Sequence, residues 1–438
     1  MHHQHFLRRS HGSTLLTVMG FVTIATGLLA SVLSLASNHR KLAVRQLNME
    51  QALYVAEGGL ERGIRTIESN ILSLVASTTG TNGAGTLGSG TYTFSVSKIS
   101  KSVFSISSTG FVNNVRRSVS IKRIYQPTYA EFALWSEENG ALYFKDGEEF
   151  DGHVHANDRL YFNVSGGGPV FHAPVTSGAG TYTVQGGSIN AVQFDEGFEM
   201  NSYQGSMMDV DFNSAAADSL KNIAQSSGLV LEGATTLTFS GSSVQITNTR
   251  KGWTNQAFSP SAEGIIYIAN ATSGTTSTRT GHVYLVGGTV SGRLSVVTEG
   301  AQYIRGHIRY ANDPRTNPSS TDALGLIARD DVWVDTTAPN NLEINAAVLA
   351  AGTVSASNRG SFGVLNFNSG SARGVLTVHG GIVQDQRGAV GTFNSSTGVT
   401  STGFGKNYSY DPRFVENPPP YYPAVVGKIE FAEWREGR

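Results

Sequence analysis

The chain of 438 residues contains no cysteine. Disulfides, thiolate metal ligands and a cysteine nucleophile are therefore excluded, and stability must rest on a large core, which a chain of this length can supply. Charged residues make up only 15% of the chain, while glycine occurs 51 times. That balance suits short strands and tight turns better than a cytosolic helical enzyme. Proline is missing from Met1 to Tyr125, so nothing of that kind interrupts a helix there. No G-x-S-x-G elbow and no HExxH motif occurs. "GAGTLG" at Gly83 to Gly88 matches G-x-G-x-x-G, but it leads into a strand and not a helix, so it reads as a flexible loop. "TSTGFGKN" fails as a P-loop, with Thr400 at the first glycine position and Asn407 after Lys406.

What is present begins with a charge-free run from Gly12 to Asn38, preceded by Arg8 and Arg9 and followed by His39, Arg40 and Lys41. A bilayer core takes about 20 apolar residues as a helix, whereas a signal-peptide core is about 7 to 15. The run is long enough to span. Arg8 and Arg9 place its N-terminal end in the cytoplasm by the positive-inside rule, with the remainder outside. The competing expectation is a secretory signal cut after Leu35-Ala36-Ser37.

From Met49 the apolar positions Leu53, Ala56, Leu60, Ile64, Ile67, Ile71 and Leu74 recur at three- and four-residue intervals, which predicts one continuous helix from about Ser13 to about Ala76. Gly20, Gly27, Gly58, Gly59 and Gly63 mark bends or close approaches of another backbone. Downstream, Thr91–Ser97, Val103–Ser107 and Arg116–Ile124 alternate apolar and polar residues. They predict a three-stranded antiparallel meander packed on the striped half of the helix.

The charge-free helix, "QALYVAEGGLERGIRTIES" (Gln51 to Ser69) and "STGFVNNVRRSVSI" (Ser108 to Ile121) resemble the N-terminal part of type IV minor pilins of the PilX kind. Tyr54, Ala56, Glu57, Gly59, Leu60 and Glu61 are the most specific part of the match. The resemblance implies cleavage by prepilin peptidase between Gly12 and Ser13, residence in the inner membrane before assembly, and packing with other pilins through the helix. It also implies a glutamate five residues after the cut. Here Thr17 stands at that position, which argues against a bulk filament subunit.

Residues 127 to 405 read as a large β-rich region of short strands ended by Gly, Asn or Asp, a β-solenoid or a layered sandwich, with the solenoid preferred. Ala215 to Gly228 reads as one surface helix. "DGHVHANDRLYF" (Asp151 to Phe162), "TDALGLIARDDVWV" (Thr321 to Val334) and "GFGKNYSYDPRFVENPPPYYP" (Gly403 to Pro423) resemble the β-rich extension of PilX-like proteins. Pro418 to Pro420 stiffen a closing strap, on which Tyr408, Tyr410, Tyr421 and Tyr422 pack against the domain. Near the end, Phe431 and a Trp434 anchor suggest that the chain returns to a sheet.

The expected organisation is thus α+β: a leader at 1–12, a transmembrane half-helix at 13–38, a pilin-like helix and sheet at 39–126, the β-rich region at 127–405 and a Tyr/Pro-rich strap with a terminal strand at 406–438. Residues 1–128 carry a formal balance of +9 and residues 129–438 one of −10, so bulk charge does not favour nucleic acid as partner of the large domain.

Candidate chemistry is sparse. His153 and His155, with Asp151 and Asp158 nearby, have the His-x-His form that can ligate a transition metal, but no third ligand is assignable. Turn-flanking residues of a rung are the preferred reading. Asp146, Glu148, Glu149 and Asp151 offer oxygens for calcium without EF-hand spacing, and Asp330, Asp331 and Asp335 allow the same alternative; solvated turn acids are preferred for both. No cofactor is expected. The expected function is non-enzymatic: a minor pilin or pseudopilin, at or near a filament tip, taking part in pilus assembly and presenting a β domain for adhesion, with DNA uptake less favoured. The alternative is a membrane-anchored or secreted β-helical enzyme acting on polysaccharide.

Overall fold

The computed structural model describes residues 11–69, 80–100, 102–125, 127–202, 210–216, 219–275, 279–352, 359–394, 397–425 and 430–437. Helix α1 runs His11–Ser69 without interruption, about 88 Å at about 1.5 Å per residue. The predicted continuation to Ala76 lies outside the described residues. In its apolar half, the hydroxyls of Thr23, Thr26 and Ser31 donate to carbonyls one turn back (2.7–2.9 Å). Their polarity is thereby absorbed within the helix.

The second half of α1 lies on an antiparallel sheet of β1 (Thr81–Leu87), β2 (Gly90–Lys98), β3 (Val103–Val112) and β4 (Val115–Tyr125), extended at its far edge by the strand Glu430–Gly437. Two of these five strands exceed the predicted meander. "GAGTLG" is mostly strand and not loop: Gly83 to Leu87 pair with β2, and only Gly88, at φ 58°, belongs to the turn. Asn113 and Asn114, at φ 46° and 68°, form the two-residue β3–β4 turn, a conformation asparagine tolerates. Ala56, Leu60 and Ile67 bury against Phe94, Val96, Phe104, Ile106, Val119, Ile121 and Ile124, each large side chain contributing about 1.5–3 kcal/mol. The close approach has a backbone cause. A side chain at Gly110 would run into the main chain of Ala52 and Ala56, so only glycine lets β3 lie against α1 there.

Beyond Thr128 the chain forms coils of short strands stacked mostly in parallel, with an antiparallel excursion at Thr235–Gly241, Ser243–Asn248 and Trp253–Phe258. One continuous sheet runs, in spatial order, through Leu229–Glu232, Gly264–Ala269, Arg293–Thr298, Ala323–Ala328, Glu343–Ala350, the end of Ala372–Gln386, Phe132–Glu138, His153–Ala156, Val175–Ser177 and Phe198–Met200. The chain therefore enters its own stack in the middle. It winds to one end, crosses to the other, and winds back until Ile382 and Val383 pair with Leu134 and Trp135. Across that seam an internal ladder continues unbroken: Ile266, Val296, Leu326, Val348, Ile382, Leu134, Val154 and Val175 occupy successive register positions within one core.

Corners are closed by buried polar side chains. Gln302 donates to the carbonyls of Val296 and Ile327, and Asp322 accepts from the N–H groups of Gly292 and Asn312. Each such bond contributes about 1 kcal/mol and avoids a larger desolvation cost. The outer face of the long sheet is itself covered. Helix α2 (Leu220–Ser227) presses Leu220, Ile223 and Ala224 onto it. This helix is shorter than predicted, because the Ser219 hydroxyl accepts from the Asn222 N–H and starts it there; Gly228 ends it.

Candidate functional site

Two surfaces stand out: the exposed half of α1 and the place where the β-rich region joins the sheet. From Thr14 to Leu47 the large apolar side chains of α1 face outward, with Leu16 and Phe21 both 76% exposed. This helix is long and apolar enough to cross a membrane. Gly12 and Ser13 lie in its first turn. From Ala52 onward the same helix turns a buried face to the sheet while Glu61 and Arg65 pair at 3.1 Å on the solvent side. Gly59 and Gly63 sit under Tyr92, Ser108, Ile106 and Phe94, where a larger residue would lift the helix. They are sites of close approach and not bends.

The β-rich region is inserted between two neighbouring strands. β4 ends at Tyr125 and the last strand begins at Glu430, and these two residues are register partners. The two connections also pair: Thr128 bridges Ala424, the Val425 N–H donates to the Pro127 carbonyl at 2.9 Å, and the Tyr129 N–H donates to the Pro423 carbonyl at 3.0 Å. Arg123 and Glu416, 2.8 Å apart, and the Ser102 N–H bonded to the Glu416 carbonyl add ties between sheet and insert. In the last strand, Phe431 and Trp434 are each 52% exposed, so Trp434 is not the anchor its spacing suggests.

The proline-rich strap lies on the outer face of the long sheet. Phe414, Tyr421, Tyr422 and Val425 bury there with Trp135, Tyr267 and Val297. The Ser295 hydroxyl and Arg293 donate to the carbonyls of Pro420 and Pro418. Tyr410 donates to the Ala130 carbonyl at 3.2 Å, while Tyr408 packs on the inner core.

The candidate metal residues fall as follows. His153 and His155 lie on the strand His153–Ala156. His155 is fully buried, its Nδ1 2.7 Å from the Thr176 hydroxyl and its Nε2 2.7 Å from Asn157 Oδ1. His153 Nε2 is 2.9 Å from that same hydroxyl, and its ring packs on Phe132 at 4.6 Å. In register, His155 follows Trp135 along the outer face of the sheet. Asp151 is exposed and Asp158 half-buried. Among the described residues no group of three or more His, Asp or Glu is arranged to hold a metal ion.

Of the candidate calcium acids, Glu148 is buried and faces Lys406 Nζ at 2.8 Å. Burial pushes the Lys406 ammonium down from its ordinary range, partly opposed by Glu148. Beside them Arg387 stacks on Phe144 at 3.9 Å and donates to Asn139 Oδ1 and the Leu142 carbonyl. These residues join the two chain segments that meet at the seam, and Lys406 and Arg387 carry no sequence pattern by which to find them. Asp335 pairs with Arg305 at 2.9 Å. Asp331 accepts from the Ser361 N–H at 2.9 Å, and burial, helped by Asp330, pushes its carboxyl up to about 6.

Comparison with known proteins gives little beyond this geometry. No protein-family profile matches the chain, and no curated protein does. Among solved structures, the crystal structure of the competence-associated pilin ComZ from Thermus thermophilus aligns over 89% of this chain and 97% of its own, at 13% identity and a TM-score of 0.35.

Proposed function

We propose that this chain is a non-enzymatic minor pilin or pseudopilin of the PilX kind that takes part in type IV pilus assembly. The observation that carries the reading is α1: an uninterrupted helix with an exposed apolar half and a second half packed on an antiparallel sheet. Such a rod is stored in the bilayer and then transferred to the apolar centre of a helix bundle of other pilins, exchanging one apolar environment for another. In this reading Arg8 and Arg9 hold the N-terminus in the cytoplasm, prepilin peptidase cuts between Gly12 and Ser13, and everything after Asn38 faces outward.

In this reading the chain divides into leader 1–12, spanning half-helix 13–38, pilin module 39–126, β domain 127–405 and strap with closing strand 406–438, the strand Glu430–Gly437 returning to the sheet of the pilin module. The parallel pairing of the coils supports a β-solenoid over a layered sandwich. A domain of this bulk on every subunit would collide with its neighbours, which favours the filament tip, as does Thr17 in the glutamate position. There the domain is presented for adhesion or surface contact. The balance of −10 over residues 129–438 makes DNA uptake the less favoured role.

Intact-mass and N-terminal analysis of the membrane-extracted protein, alongside sheared filaments, tests this. A mature chain that starts at Ser13 and co-purifies with filaments is expected. A soluble chain starting near Asn38 overturns the reading, and polysaccharide cleavage by the purified protein would favour the enzyme alternative.

A further inference from the structure

We propose that a basic groove just past the apolar run holds the phosphate of an anionic phospholipid in the outer leaflet of the membrane that α1 crosses. The inference rests on the reading that the run stays in the bilayer. The groove, of about 790 Å³, lies between α1 and the β3–β4 turn. Arg40, Lys41 and Arg45 line it from the helix, Arg116 and Arg117 from the start of β4. Asn113 Nδ2 donates to Asn48 Oδ1 at 3.3 Å and fixes the turn against the helix.

Charge is the first argument. In the β-rich region several arginines have carboxylate partners: Arg293 with Glu263, Arg305 with Asp335, Arg309 with Glu343 and Arg359 with Asp385. In the groove only Arg117 has a carboxylate, Glu436. Among the described residues none pairs with Arg40, Lys41, Arg45 or Arg116, and the groove lining contains no acid. Four uncompensated cations converging on one cleft suit a phosphate diester, which offers acceptors and a full negative charge.

Position is the second. At about 1.5 Å per residue, Arg40 to Arg45 lie about 3–10 Å beyond Asn38 along the helix. The headgroup layer on each side of a bilayer is about 5–7 Å thick. Arg40 and Lys41, about 3–5 Å past Asn38, therefore reach phosphate height when Asn38 sits at the hydrocarbon edge and the run takes up its extra length by tilting. Arg45, about 10 Å past Asn38, borders the groove on its outer side. Each cation near such a surface is worth about fivefold in affinity.

The test uses the full chain in neutral detergent, with phosphatidylglycerol and phosphatidylcholine added in equal amounts and bound lipid read by native mass spectrometry. The wild type is expected to retain phosphatidylglycerol at least fivefold over phosphatidylcholine. Arg40→Gln, Lys41→Gln, Arg45→Gln and Arg116→Gln combined should bring the ratio towards one with unchanged far-UV circular dichroism, while Arg40→Lys with Arg45→Lys keeps it. Equal retention by the wild type overturns the proposal. Displacement of the lipid by millimolar inorganic phosphate reassigns the groove to free phosphate and overturns it too, as does loss of self-association in the Gln variant without any lipid preference. Carbonate extraction separates the two readings. A chain that washes off the membrane refutes both, and one that stays embedded without lipid preference refutes this proposal alone.

Discussion

Lys406 Nζ lies 2.8 Å from Glu148 Oε1, joining residues 258 positions apart where the two arms of the coiled stack meet. Glu148 is almost fully buried and Lys406 keeps part of its surface in solvent. Removing one partner leaves the other charge stranded at the seam. Lys406→Met is expected to cost about 3 kcal/mol, read as a lowered midpoint in denaturant. Adding Glu148→Gln should restore most of it, and a double variant as unstable as the single would show that the pair does not couple.

The strap makes a second expectation. Tyr422 is fully buried, and among the described residues its hydroxyl has no hydrogen-bond partner. Tyr422→Phe removes an unsatisfied polar atom and should raise stability by about 1 kcal/mol. Tyr422→Ala opens a cavity between strap and sheet and should cost about 3–5 kcal/mol. Thermal unfolding of both variants distinguishes a packed strap, where they move in opposite directions, from a loose one, where neither moves.

At Gly110 the helix and the sheet touch through backbone. Gly110→Val has to push α1 away from β3, and a loss of about 1–3 kcal/mol is expected. Limited proteolysis should then cut within Leu53 to Ile67, a stretch the wild type protects. An unchanged digestion pattern would contradict the contact.

The absence of native cysteine makes the closing strand directly testable. Ser120 and Arg435 are register partners on β4 and the last strand. The pair Ser120→Cys and Arg435→Cys should form one intramolecular disulfide on oxidation, visible as faster migration on a non-reducing gel. Neither single variant should shift.

Much of this was legible locally, because a helix stripe and a strand alternation each repeat within a few residues. Leu53 to Ile67 and Phe94 to Val96 are found that way, and the ring-rich strap announces itself through Pro418 to Pro420. β1 was not legible, since "NGAGTL" has almost no side chains to alternate. The seam was not legible for a different reason: a parallel pairing of Leu134 with Ile382 leaves no local trace, every rung having similar Val, Ile and Leu positions. Glu148 looks like any turn acid until Lys406 arrives from the far end of the chain.

Acidity offers a further check at Asp331, whose carboxyl is raised to about 6 from an ordinary value near 4. The folded state then binds a proton more tightly than the unfolded one, so this group's contribution is fully present below about pH 4 and is lost as the pH rises through about 6. Compared with Asp331→Asn, the wild type should lose stability over that window. A constant difference between the two from pH 4 to 7 would rule out the shift.

The paired exit from the sheet has a mechanical meaning for the inserted domain. Because β4 and the last strand are neighbours and both chain connections leave from their Tyr125–Glu430 end, a tug on the outer domain is divided between two strands. It pulls β4 lengthwise past β3, loading many ladder bonds together in shear, whereas a single tether would unzip them one by one. The whole outer mass is thus held as a two-pronged plug, resistant to drag along the strand direction.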